Sequence, residues 1–185
     1  MASYAPDTLV GAAYDASYVL CKTEDVTDET EVEEDYYVAG LEFAEAQGCD
    51  VVNSSLGYID WYTQADLNGY TAVTTQAVNL ATSNGVVCVT SAGNQGHDTD
   101  PGTSAILAPS DAYQVIAVGA VQVTSEVASF SSDGPSADGR VKPEVLAMGD
   151  LVASVWPHDD SGYACASGTS LSSPIVAGAI ACLLE

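Results

Sequence analysis

Val86-Val87-Cys88-Val89-Thr90-Ser91-Ala92-Gly93-Asn94-Gln95-Gly96 is the stretch that decides the fold. Its first half, Val86 to Thr90, is almost wholly apolar, the pattern of a strand covered on both faces. Its second half turns abruptly polar and carries two glycines, so the chain leaves the strand through a turn whose backbone a ligand can approach closely. N-terminal to it, Thr71 to Asn84 places Val73, Ala77, Leu80 and Ala81 on one helical face, with Gly85 as C-cap. Asp50 to Leu56 reads as another strand, ending at Gly57, and Glu33 to Gln47 as a helix with Tyr37, Val38, Leu41 and Ala44 at helical spacing and Gly48 as its stop. Ser17 to Lys22 is a short strand candidate, and Val115 to Val121 repeats the buried pattern further on. Strand, helix, strand, helix, strand predicts an α/β fold with a parallel sheet flanked by helices. Ligands of such sheets sit beyond the carboxyl ends of the strands. That rule selects Ser55-Leu56-Gly57 and Ser91-Ala92-Gly93-Asn94 as candidate binding segments.

The composition fits one domain with a real core: 185 residues, 47% of them hydrophobic. Asp and Glu number 26 against 3 Lys and Arg, a formal net charge of −23. Such a surface repels phosphate backbones and anionic bilayers, which excludes nucleic acid and membrane surfaces as partners. It suits a saline or calcium-containing medium and equally suits plain solubility. The densest acidic run, Glu24 to Asp35, is expected to be a solvated loop rather than a metal site. The cysteines at 21, 49, 88, 165 and 182 are odd in number and lack C-x-x-C spacing, against both a zinc site and a disulfide framework. Cys88 and Cys182 lie in apolar runs and are expected to be buried thiols, while Cys165 stands near Ser170 in sequence. Met1 to Leu20 has no signal-peptide pattern, and the apolar run Ile175 to Leu184 is too short to span a bilayer.

Near the other end the chain reads Ser167-Gly168-Thr169-Ser170-Leu171-Ser172-Ser173-Pro174-Ile175-Val176-Ala177-Gly178. A glycine turn here delivers Ser170 to the first turn of an apolar helix, in the positive end of the helix dipole and beside unpaired backbone N–H groups. Acyl transfer by a serine needs the hydroxyl, a base for its proton and donors for the oxyanion. Ser170 supplies the first. Asn94 is the candidate side-chain donor, with the Ser170 N–H as the second. The flanks of Ser170 do not spell the G-x-S-x-G elbow of other α/β hydrolases.

The Ser170 stretch closely resembles the nucleophile motif G-T-S-M-A-S-P-x-V-A-G of the subtilisin-like serine peptidases, the subtilases, with Leu171 for Met and Ser172 for Ala. Val51-Val52-Asn53-Ser54-Ser55-Leu56-Gly57 resembles the family's V-I-N-M-S-L-G, and Ser91-Ala92-Gly93-Asn94 its A-A-G-N, whose Asn serves as oxyanion donor. Pro109 to Val121, Phe130 to Pro135 and Lys142-Pro143-Glu144-Val145 resemble further family motifs in the family's order; Ala147-Met148-Gly149 departs from Ala-Pro-Gly. The resemblance implies a serine endopeptidase acting on protein or peptide substrates through Ser170 and Asn94. Ser55 to Gly57 and Ser91 to Gly93 would form the walls around the substrate's P1 residue, with Thr169 lining the same site. It implies no required cofactor, calcium as an optional structural ion, and a secreted or cell-surface parent.

The family's triad runs Asp, His, Ser along the chain. Its D-[ST]-G and H-G-T motifs are expected upstream of the region matching Gly11 to Lys22, and neither stands there. The histidines are His97 and His158, both expected on loops and outside the catalytic machinery. Residues 1–185 are accordingly expected to be a partial catalytic domain, cut at its N-terminus and within the helix that runs to Glu185. It would lack the interior strand that bears the Asp and so expose unpaired strand edges. This piece is expected to be inactive. The alternative reading is a peptide-binding module without catalysis.

Overall fold

The structure is a computed structural model describing residues 1–100, 102–157, 159 and 161–185. In chain order its elements are β1 (Tyr4–Ala5), β2 (Leu9–Val10), α1 (Val32–Ala46), β3 (Val51–Ser54), α2 (Val73–Ser83), β4 (Val87–Ser91), β5 (Ile116–Val121), β6 (Val145–Met148), β7 (Val152–Val155), β8 (Tyr163–Ala166) and α3 (Thr169–Leu184), with a 3-10 turn at Gln64–Asp66. Strands β3, β4, β5 and β6 form a parallel sheet in that order. Two short antiparallel pairs, β1 with β2 and β7 with β8, stand outside it.

Alternation along the strands builds the layers. Cys88 of β4 packs with Tyr37 and Leu41 of α1 and Val78 and Ala81 of α2, whereas its neighbours Val87 and Val89 pack with Ala177, Val176 and Ile180 of α3. The sheet is therefore sandwiched between α1 with α2 on one face and α3 on the other, the α/β architecture expected. Gly48 and Gly85, both at positive φ (78° and 101°), stop α1 and α2 where the sequence places them. Lys142 and Glu144 serve this frame rather than chemistry. The buried Lys142 ammonium donates to the Ala112 carbonyl at 2.9 Å and pairs with Glu144 at 2.7 Å, and Glu144 accepts from the Ala117 N–H at 2.8 Å.

Several expectations change: on α2 the buried face is Thr74, Thr75, Val78 and Ala81, with Val73 and Leu80 exposed. Ser17 to Lys22 forms no strand. A strand needs a ladder partner about 4.8 Å away, and between this segment and β3 lies a groove of about 830 Å³, lined by Val19, Leu20, Val51 and Val52 among others. Among the described residues no strand pairs with the outer edge of β3. The acidic run is not a solvated loop throughout: from Val32 it is helix, and Glu33 and Glu34 are 0% and 3% exposed. Cys182 is exposed, its thiol 3.2 Å from the Ala12 carbonyl, while Cys88 is buried as expected and its thiol is pushed up to about 12 by burial and by Glu45. Finally, β6, β7 and β8 have no counterpart in the sequence reading. Each is only four residues long, and β7 and β8 keep exposed positions in a two-stranded ribbon, so no long apolar run marks them.

Candidate active site

Three chain segments converge at the carboxyl ends of β3 and β4: the residues after β3, the residues after β4, and the first turn of α3. Gly168 makes the third approach possible. It caps α3 at φ 154°, a backbone conformation that side chains other than glycine's rarely adopt, and its N–H is held by the Gly149 carbonyl at 2.8 Å.

Ser170 is thereby set directly against Ser55. The Ser170 hydroxyl donates to the Ser55 carbonyl at 2.9 Å, and the Ser55 hydroxyl donates to the Ser170 carbonyl at 2.8 Å. Asn53, two residues earlier on β3 and so on the same face, completes the lock. Its Nδ2 donates to Ser55 Oγ at 3.0 Å, and its Oδ1 accepts from Ser173 at 2.7 Å. Asn53 was quoted in the sequence motif with no role. Its i, i+2 relation to Ser55 was the available signal.

Asn94 sits on the other side of the nucleophile. Its Oδ1 accepts from the Thr169 N–H at 2.9 Å and lies 3.1 Å from the Thr169 hydroxyl. An amide whose oxygen is held in this way presents its NH₂ from the opposite end, as an oxyanion donor must. Thr169, fully buried, also meets the N–H and carbonyl of Gly93 through its hydroxyl, both at 3.2 Å. Ser91 bridges the two proposed walls by donating to the Leu56 carbonyl at 3.2 Å. Ser55, Leu56, Gly57, Ser91, Ala92, Gly93, Asn94, Thr169 and Ser170 thus belong to one constellation.

Among the described residues no histidine adds a base to it. His97 is exposed, and its Nδ1 lies 3.3 Å from the Ser131 carbonyl. His158 lies outside the described residues. The tripeptide Asp160-Ser161-Gly162 does spell D-S-G, but it follows β7 in the chain and Asp160 is likewise outside the described residues. The proton of Ser170 is directed at a carbonyl oxygen, which accepts a hydrogen bond and does not deprotonate an alcohol.

Carboxylates gather at the start of α1. Oxygens of Glu24, Glu29 and Glu33 lie within 4.8 Å of one another. Loss of hydration and the neighbouring Glu33, Glu24 and Asp60 raise the Glu29 carboxyl above its ordinary value. Glu33 accepts from the N–H groups of Asp25 at 2.7 Å and Thr30 at 3.1 Å, and Glu24 from the Tyr58 hydroxyl at 2.7 Å.

Comparison with known proteins places the whole chain within one family. A model described as the Subtilase family matches residues 2–185. Subtilisin DY of Bacillus licheniformis is 41% identical over 148 residues, covering 80% of this chain and 47% of that protein. Subtilisin E of Bacillus subtilis is 35% identical over 177 residues, covering 96% of this chain and 41% of that one. Among solved structures, the prenylagaramide maturation protease PagA superposes with a TM-score of 0.67 at 26% identity, over 85% of this chain and 51% of its own. The patellamide maturation protease PatA gives the same TM-score at 29% identity, over 82% and 50%. The chain spans less than half the length of these two subtilisins. No described helix is long and apolar enough to cross a membrane.

Proposed function

The chain belongs to the subtilase family, and from that premise we propose that it carries the nucleophile, oxyanion donor and substrate walls of a serine endopeptidase acting on protein or peptide substrates. The observation that supports this most directly is the placement of Ser170, its hydroxyl 2.9 Å from the Ser55 carbonyl at the end of β3, with Asn94 fixed beside it through Thr169. In the reaction, Ser170 Oγ bonds to the scissile carbonyl carbon as its proton passes to a base. Asn94 Nδ2 and the Ser170 N–H hold the oxyanion, and collapse expels the amine, which takes the proton. Water then releases the acyl group by the same steps. Ser55 to Gly57 and Ser91 to Gly93 pair with the extended substrate backbone.

The base and its orienting acid are not among the described residues gathered at Ser170. The 185 residues alone therefore retain at most the acceleration of about 10³–10⁴ that the oxyanion hole and binding supply, a value measured on a subtilisin. This favours a second reading, a cleft that binds peptide without cleaving it. A fluorophosphonate probe on the natural product separates the two: labelling of Ser170 that disappears in Ser170→Ala establishes the peptidase, and peptide affinity without labelling establishes the binding module. In a catalytically competent form, Asn94→Ala is expected to lower kcat about 10²–10³-fold, the loss known for the equivalent donor of a subtilisin. An unchanged kcat removes Asn94 from the mechanism.

No cofactor enters these steps. Calcium belongs to the reading only as a structural ion. A secreted or cell-surface location of the parent is part of the same proposal, as are protein substrates and the exclusion of nucleic acid by the charge of −23.

A further inference from the structure

Residues 106–108 run between the two walls and are bonded to both. The Leu107 N–H donates to the Ala92 carbonyl at 3.0 Å on one side, and Ala108 exchanges hydrogen bonds with Tyr58 at 2.9 and 3.0 Å on the other. Ile106 and Ala108 are fully buried, whereas Leu107 between them is only half-buried. Its neighbours anchor it while it stays partly accessible.

Both walls carry a glycine that meets this side chain. A Cβ added to Gly57 would come 2.8 Å from Leu107 Cβ and 3.2 Å from its Cδ1. One added to Gly93 would come 2.7 Å from Leu107 Cγ and 3.1 Å from the same Cδ1. Glycine in a cleft wall leaves room the size of a side chain, and here Leu107 takes that room from both sides. Rotation cannot clear the space, because Cβ itself, fixed to the backbone, makes the contact at Gly57. Ser132 Oγ, 2.7 Å from the added Cβ of Gly93, narrows the same side.

We infer that Leu107 is the floor of the P1 site and restricts it to small side chains, glycine, alanine or serine, while excluding aromatic ones. The inference rests on Ser55 to Gly57 and Ser91 to Gly93 being the substrate walls. A small P1 side chain lies over the Leu107 methyls and buries its own surface against them; a phenyl ring has no depth to enter and stays in water. Filling or blocking a pocket by a few methylene equivalents discriminates about 10–200-fold.

The test titrates the 185-residue chain with succinyl-Ala-Ala-Pro-Xaa acids, Xaa being Ala, Leu or Phe, by calorimetry, with the Leu107 methyl resonances followed by NMR. The Ala peptide is expected to bind at least about tenfold more tightly than the Phe peptide and to shift the Leu107 methyls. Leu107→Gly is expected to reverse the order, and Leu107→Ala to narrow the gap. If Leu107→Gly does not fold, the unmodified chain and Leu107→Ala decide. Phe binding as tightly as Ala to the unmodified chain, in the same cleft, overturns the restriction and leaves the walls standing. Binding of none of the peptides overturns the walls and the restriction together.

Discussion

Around Glu33 and Glu34 the protein buries two carboxylates and gives every carboxylate oxygen a donor; around Ser170 and Asn94 it ties down one end of each polar group and leaves working groups at the surface. Glu34 accepts from Trp61 and Tyr62 at 2.7 Å each through one oxygen, and from the Thr74 N–H and hydroxyl at 3.3 and 3.2 Å through the other. That carboxylate is spent on joining α1, the loop after β3 and α2. The site's bonds are comparably short, yet each leaves something over: the NH₂ of Asn94 opposite its held oxygen, and the Ser170 N–H in a first turn where no intrahelical acceptor exists. Complete satisfaction fixes structure, and partial satisfaction by design of the backbone leaves groups for a ligand.

The difference can be broken most forcefully at Glu34. Glu34→Ala strands the buried donors of Thr74 and the half-buried ones of Trp61 and Tyr62, and is expected to cost about 3–5 kcal/mol in urea unfolding. A loss under about 1 kcal/mol would mean that the cluster is not the anchor described. Gly168→Ala tests the other cluster through its backbone. A side chain at φ 154° is expected to cost about 1–3 kcal/mol, and the N-terminal turn of α3 should lose amide protection before the rest of the helix does. Ser55→Ala removes only the exposed hydroxyl link between Asn53 and Ser170, with an expected cost of about 1 kcal/mol or less. Its clearer readout is faster hydrogen exchange in the first turn of α3 with α1 and α2 unchanged.

The smallest effect sharpens the comparison by pH. Glu29 belongs to the acidic cluster but has its carboxyl raised by lost hydration and by Glu33, Glu24 and Asp60. Folding thus disfavours its ionised form, a penalty fully present above its raised folded-state value and absent below the unfolded one. Glu29→Gln is expected to melt higher than the unmodified chain at pH 7, with the gap closing as pH falls through the carboxylate range. A gap independent of pH would show that charge is not its origin.

Much of this architecture was legible in the chain because its signals are local. Val86 to Thr90 declared a strand covered on both faces, and β4 is that strand; Gly48 and Gly85 declared helix ends and are found at positive φ. The short strands β6 to β8 carried no comparable signal, because four residues are too few for periodicity to stand out. Ser17 to Lys22 shows the opposite failure: its residues suit a strand, but strand formation belongs to a pair, and among the described residues no strand pairs with it. The acidic run misled for the same reason. A carboxylate reads as solvated until its donors are known, and those of Glu34 lie 27 to 40 residues away.

By itself the sequence determined the α/β alternation, the segments that end at the mouth of the sheet, and the glycine turn that delivers a serine to a helix start, since each depends on side-chain pattern and backbone freedom within a short window. Only the tertiary structure decided that Asn53 and Ser55 lock Ser170 in place, that Glu33 and Glu34 are interior groups, and that Leu107 lies between Gly57 and Gly93. Those are contacts between residues far apart in the chain, created when the sheet and its loops close on one another, and no local pattern encodes a distance across that closure.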